Sequence, residues 1–368
     1  MSPVSNVSNV SAVVLSVGEP YTQRAIQSLV AQTIPLREII TIENVSPFFR
    51  AINEGARRVS TPFFVQVDAD MILDPTCVET LLGGVRRDTG IVVGELRDAL
   101  STQVVGVKLF RTACFRRAGM SDSISQDTDF VAMLHRLGWR TEFIETVGSD
   151  RSAPRPALGE HRPDYTPSYT YRKMLLEGAR LRHRAARHGL FWSMGTLEQS
   201  SHPLGVLAQI ALAHGFFLPL ERDELKPPVL EPRADWLVAF LGADGRADSI
   251  ADGLAPVGRH ARLRETFRLF LSAGQAIAQA QAGATFRELF GSLTGTRRDW
   301  RALVAKVALG HGLLMDEGDR ARLMSDERAF RHFMVFSIGS RATLSDHLRA
   351  RVVHLSVAGR RSRSFVPW

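Results

Sequence analysis

Phe63-Phe64-Val65-Gln66-Val67-Asp68-Ala69-Asp70-Met71-Ile72-Leu73 is the stretch on which the reading of this chain turns. An apolar, β-prone run ends in two carboxylates one residue apart, and a second apolar step follows. Side chains of an extended strand alternate faces, so Asp68 and Asp70 point the same way. Two like charges held together at the end of a buried strand call for a counter-charge. A divalent cation carrying phosphates supplies one, because hard cations take carboxylate oxygens and keep substrate phosphates as ligands. The competing reading is a strand closed by a solvated Asp-rich turn.

Upstream of this stretch the pattern alternates between strand and helix. A buried strand over residues 12–17 is closed by Gly18-Glu19-Pro20, and a helix follows over 21–32. A second strand covers 38–43, a helix 48–59, and the strand over 62–67 delivers the carboxylates. Pro75, a favoured first-turn residue, opens a helix through 85. A βαβαβα order predicts a mostly parallel sheet flanked by helices, with ligands at the carboxyl ends of its strands. Glu19, Glu43, Asp68 and Asp70 all fall at such ends.

Downstream, residues 90–96, 104–110 and 139–147 read as further strands. A helix-turn over 110–119 and a helix over 127–137 lie between them. Residues 148–167, rich in Pro, Gly, Ser and Arg, read as a loop. Beyond Ser168 the patterns are helical, for instance over 171–188, 234–241, 260–281 and 326–336. No internal repeat is read along the chain. The expected layout is an α/β domain over residues 1–160 and a helical region over 161–368, with the boundary falling between 145 and 171.

The 368 residues suit one large or two medium domains, and 45% hydrophobic with 23% charged content is that of a globular protein. Cys77 and Cys114 are the only cysteines, which implies no disulfide framework and a reducing, cytoplasmic compartment. The first ten residues carry no basic segment ahead of an apolar one, unlike a secretory signal. A net charge of +8 points to an anionic partner without choosing its class. Residues 199–220 hold no Asp, Glu, Lys or Arg and approach the length of a membrane span. Gln209, His214 and the bracketing Pro203 and Pro219 favour a buried helix instead.

Several segments in order carry a resemblance. Ala25-Ile26-Gln27-Ser28-Leu29-Val30-Ala31-Gln32-Thr33, the acidic end of the second strand at Glu43, and Asn53-Glu54-Gly55 in the next helix are three of them. Asp68-Ala69-Asp70, the segment from Phe110 to Gly119, and Gln126-Asp127-Thr128-Asp129 with its helix ending at Gly138 complete the set. Together they resemble family 2 glycosyltransferases of the GT-A fold, over a little more than a third of the chain. The resemblance implies a nucleotide-diphospho-sugar donor, inversion at the anomeric carbon and a DxD motif that binds Mn2+ or Mg2+.

On that resemblance Asp70 binds the metal directly, and Asp68 faces the ribose or the metal's water shell. Asp127 is the general base that takes a proton from an acceptor hydroxyl, and Asp129 braces the site. For Asp127 the alternative is an acid in the first turn of a helix, answering its dipole. His161 completes the metal shell or is a solvated loop histidine. Val17, Glu19, Glu43, Arg50, Asn53, Asp68 and Ala69 are the nucleotide-binding positions, although Arg50 also reads as a surface charge. Three departures stand out: Ser16-Val17-Gly18-Glu19-Pro20 where the family often has Pro-Thr-Tyr-Asn, Glu43 for Asp, and Gln126 for Glu. They leave the nucleotide open, with uridine diphosphate the commonest in the family. No Gln-x-x-Arg-Trp occurs, which argues against a processive synthase.

The implied activity is non-processive sugar transfer to a glycan or glycolipid acceptor, of a bacterial envelope polysaccharide or lipopolysaccharide. Arg180, Arg184 and Arg187 on one helical face and the basic tail from Arg349 to Trp368 read either as solvated surface or as a peripheral contact with anionic membrane at its inner face. A catalytically inactive GT-A-fold binding or assembly protein is the alternative function. Nucleic-acid binding rests on charge alone, with no zinc-finger or RRM-like signature, and is set aside.

Overall fold

A computed structural model describes residues 9–144, 157–183, 187–217, 227–246, 263–294 and 300–314. The chain divides into two compact units, Met1–Asp164 and Tyr165–Trp368. In the first, β1 (Val10–Ser16), β2 (Ile39–Glu43), β3 (Phe63–Asp68), β4 (Met71–Leu73), β5 (Thr89–Asp98), β6 (Thr102–Arg111), β7 (Arg140–Phe143) and β8 (Ala157–His161) build one sheet. Its order is β2-β1-β3-β6-β5-β8-β4, with β7 branching from β5. β1 pairs parallel with β2 and β3, while β6 runs antiparallel to both β3 and β5. β7 and β8 are parallel to β5, and β4 is antiparallel to β8. Every strand but β4 and β6 therefore runs the same way, and the ends of β1, β2, β3, β5 and β8 open on one edge. This is the α/β architecture that the sequence predicts.

Alternation along β1 explains why helices cover both faces. Val10, Ala12 and Val14 join Val65 and Val67 in a core sealed by α1 (Thr22–Val30) and α3 (Cys77–Gly83) through Leu29, Val78 and Leu81. Val13 and Leu15 point the opposite way. With Phe64, Phe110 and Ile91 they pack on α2 (Phe48–Arg58), α4 (Thr112–Arg117) and α5 (Gln126–Arg136). On this second face Phe64 stacks on Phe110, and Phe115 closes edge-on (centroids 5.4 and 5.3 Å). Two residues further along β3 the same face turns polar, at Gln66 and then Asp68.

One expectation fails in an informative way. Within the segment read as a loop, Ala157–His161 forms β8, inserted between β5 and β4. Five residues containing Gly and two polar groups carry little strand signal, so backbone pairing from both neighbours makes this strand. Gly159 fits because a Cβ there would collide with the carbonyl oxygen of Ile72.

The second unit contains α6 (Pro167–His183), α7 (Arg187–Glu198), α8 (Gly205–Phe217), α9 (Pro227–Gly242), α10 (Leu263–Gln279), α11 (Gly283–Ser292) and α12 (Trp300–Leu314). The charge-free segment supplies α8, whose Leu207, Ala208, Ile210, Ala211 and Leu212 are buried. Among the described residues no helix is long and apolar enough to cross a membrane. The expected helix over 326–336, the basic tail and Arg184 lie outside the described residues, as does the side chain of Arg187.

Candidate active site

Strand register gathers the chemistry at the shared edge. Glu43 is opposite Ser16, and Asp68 opposite Leu15. The parallel pairing of β8 with β5 sets His161 beside Asp98, and the antiparallel pairing with β4 sets it beside Met71, next to Asp70. The amide of Arg162 donates to the Asp70 carbonyl (2.7 Å) and pins this corner.

His161 is held from behind. Its Nδ1 is 2.7 Å from Oδ2 of Asp98, and its Nε2 is 3.4 Å from Oδ2 of Asp70. Asp98 Oδ1 accepts from the amides of Leu100 (2.9 Å) and Ser101 (2.6 Å) and from the Ser101 hydroxyl (2.9 Å). A carboxylate with that many donors stays ionised, so Nδ1 carries its proton and donates it to Asp98. Nε2 is thereby the nitrogen aimed at Asp70. This is the arrangement by which a carboxylate orients a metal-binding imidazole.

Asp68 faces differently. Its Oδ1 accepts from Gln66 Nε2 (2.7 Å). Burial and then the neighbouring Asp70 charge push its carboxyl up to about 6, against the opposing charges of Lys108 and His161. Lys108 is the residue of β6 opposite Gln66, and it reaches from the sheet to α5, where its Nζ lies 3.3 Å from Oδ2 of Asp127. Asp127 Oδ1 also accepts from the Thr128 amide (2.9 Å), so it does serve the first turn of α5. Its side chain is 39% exposed, enough to meet an incoming hydroxyl.

The remaining nominated positions divide. Glu19 Oε2 accepts from the Ser16 hydroxyl (3.0 Å) and the Val17 amide (2.8 Å), so Glu19 and Val17 close the turn after β1 on itself. Glu43 is exposed at the edge, and Arg50 is exposed with its guanidinium 5.8 Å from the ring of Phe49. Asn53 is corrected: both ends of its amide grip the backbone of Met120 (2.8 and 2.9 Å), which leaves it a tie between α2 and the residue after α4. Ala69 is buried and its amide donates to Leu15, so it too serves the sheet. Gln126 Oε1 accepts from the Phe49 amide (3.1 Å), joining the starts of α5 and α2.

The sequence reading missed two residues, Asp98 and Lys108. Lys108 left a signal, since a lone lysine within the apolar run of residues 104–110 must find a partner when buried. Asp98 left a weaker one, an Asp followed by Ser three residues on, as in a side-chain-closed turn.

Among the described residues no three His, Cys, Asp or Glu side chains cluster closely enough to cage a metal ion. The donors that do meet, a carboxylate oxygen and an imidazole nitrogen with a second carboxylate beside them, still suit Mn2+ or Mg2+. Such ions are commonly held by one or two side chains, with phosphates and water completing the shell.

No family model matches the sequence, and no curated protein does. Among solved structures, the chain is similar to the mannosyltransferase PcManGT from Pyrobaculum calidifontis, determined in complex with GDP-Man and Mn2+. That match has 14% identity over 83% of this chain and 87% of the other, with a TM-score of 0.39. S. aureus TarS 1–349 in complex with UDP-GlcNAc is 10% identical over 85% of this chain and 92% of its own, with a TM-score of 0.30. The 2-C-methyl-D-erythritol 4-phosphate cytidylyltransferase from Thermus thermophilus is 16% identical over 40% of this chain and 94% of its own (TM-score 0.29). At TM-scores below 0.5 these likenesses transfer no residue role to this chain.

Proposed function

We propose that the N-terminal unit is a metal-dependent, inverting, non-processive glycosyltransferase of the GT-A type, resembling family 2. It takes a sugar from a nucleotide-diphospho-sugar, with uridine diphosphate the first candidate, to a glycan or glycolipid acceptor such as a bacterial envelope polysaccharide or lipopolysaccharide. The observation that carries this reading is the convergence of Asp98, His161 and Asp70 beside Asp68 at the ends of co-directional strands.

Asp70 and His161 would hold Mn2+ or Mg2+, with Asp68 next to them. Bound there, the cation would neutralise charge on the departing diphosphate. Asp98 keeps His161 in the one tautomer and orientation that presents Nε2. Asp127 removes the proton from the acceptor hydroxyl as its oxygen bonds to the anomeric carbon and the bond to phosphate breaks. Lys108 fixes the Asp127 carboxylate and adds positive charge between the base and the acidic edge. Glu43 and Arg50 remain at the mouth as candidate nucleotide contacts.

A panel of nucleotide sugars, assayed for nucleotide release and sugar transfer with Mn2+, with Mg2+ and with EDTA, tests the proposal. Turnover of one donor that EDTA abolishes and either metal restores is expected. Thermal stabilisation by a nucleotide diphosphate with no turnover of any donor would favour the alternative, a binding module of the same fold. That alternative draws support from Glu19, whose carboxylate is occupied by its own turn. A peripheral contact at the inner face of an anionic membrane extends the same proposal. It predicts sedimentation with anionic vesicles at low salt and release at high salt.

A further inference from the structure

Helix pairing in the second unit repeats itself contact by contact. α6 docks on α8 so closely that a Cβ at Gly178 would strike the Leu212 carbonyl, and one at Gly215 would strike that of Leu175. α10 docks on α12 in the same manner, with Gly274 against Leu309 and Gly312 against Leu271. The residues correspond one to one at offsets of 96 and 97.

Aligned on these contacts, the sequences agree. Ala208-Gln209-Ile210-Ala211-Leu212-Ala213-His214-Gly215 matches Ala305-Lys306-Val307-Ala308-Leu309-Gly310-His311-Gly312, with Ala, Ala, Leu, His and Gly identical. Thr170, Arg172, Leu175 and Gly178 of α6 recur as Thr266, Arg268, Leu271 and Gly274 of α10. Gly195-Thr196-Leu197 at the end of α7 recurs as Gly291-Ser292-Leu293 at the end of α11. Burial follows suit: Tyr171 and Phe267, and likewise Met194 and Phe290, are equivalent and buried. Such agreement in order, spacing and contact is what a duplicated module leaves behind.

The two copies meet through equivalent residues. α8 packs on α12, with the rings of His214 and His311 6.1 Å apart and both buried. A position that faces its own counterpart lies on a two-fold axis. We infer that the helical unit is an internal duplication of a three-helix module, and that the His214–His311 pair at its two-fold seam is a proton-sensitive joint that opens on acidification.

The groups facing the pair explain the sign. From α6 the Tyr171 hydroxyl hydrogen-bonds Nδ1 of His214 (2.7 Å), and Arg233 of α9 acts on both. From α12 itself comes Lys306, ion-paired with Glu198 of α7 (3.5 Å). α10 and α11 contribute uncharged residues, chiefly Phe267, Leu271 and Phe290. Two imidazolium ions here would add to Arg233 and Lys306, with Glu198 already engaged. Burial holds His311 down to about 4, and burial, His311 and Arg233 hold His214 well below its ordinary value. Groups depressed in the folded state leave stability intact above about pH 6.5 and withdraw it as pH falls toward 4.

Hydrogen exchange of the full chain at pH 7.5 and pH 5, corrected for intrinsic rates, tests this. Peptides spanning Gly205–Phe217 and Trp300–Leu314 are expected to lose protection together, by up to about tenfold per pH unit for each histidine, while Phe63–Asp68 keeps its own. The double variant His214→Gln/His311→Gln is expected to show no such loss. Unchanged protection at pH 5, loss in one helix alone, or a loss that persists in the double variant would each overturn the inference. If the double variant does not fold, NMR titration of the unmodified chain decides. Silence of both imidazoles above pH 5 supports the joint, and ordinary midpoints near 6.5 in the folded chain refute it.

Discussion

The N-terminal unit brings its charged side chains to one edge of a sheet, whereas the helical unit encloses polar side chains where helices cross. At the sheet edge Asp70, His161 and Asp127 lie close to water, and only their supports, Asp98 and Lys108, are deeply placed. In the helical unit His214, His311 and Lys306 are buried. An exposed edge lets partners exchange, as donor and acceptor sugars must. An enclosed imidazole can change only its protonation, and then at the expense of packing.

Asp70→Ala gives the widest separation between the units: transfer should fall to background and metal-dependent nucleotide binding should weaken, with helical-unit exchange unaltered. Asp127→Asn should lower kcat by about a hundredfold to ten-thousandfold while leaving nucleotide affinity in place. Loss of both together would place Asp127 on the donor side. Asp98→Asn should reduce metal affinity or activity by about tenfold to a hundredfold, read as a shifted Mn2+ dependence rather than as a loss of fold. Gly215→Ala tests the other unit. It should destabilise the helices by about 1–3 kcal/mol, seen as an earlier melting step, with the KM for donor unchanged. A fall in kcat with that variant would mean that the units are not separable in function.

What the sequence disclosed follows from where each signal resides. β1, β2 and β3 were legible because each is a short apolar run ending in polar residues, with helical spacing between them. Asp68, Asp70 and Asp127 were visible as local patterns. β8 was not, because its strand character comes from β4 and β5 rather than from Ala157-Leu158-Gly159-Glu160-His161 itself. Asp98 was hidden because its partner lies 63 residues on. Asn53 misled because an amide on a helix after a strand fits a nucleotide pocket as well as a backbone tie. The helical repeat escaped notice because its identities are thin and scattered. It emerges only when Gly178 and Gly215 are seen to do what Gly274 and Gly312 do.

β8 is the last strand of its sheet to be made, although it lies between two earlier ones. His161 follows Asp70 by 91 residues. A nascent chain leaving the ribosome would therefore present the acidic edge long before the imidazole that completes it, so cation affinity would arrive late in synthesis. The same order bounds any dissection of the gene: a fragment stopping short of Ala157 would retain the aspartates yet lack the residue that turns Asp70 into half of a binding pair.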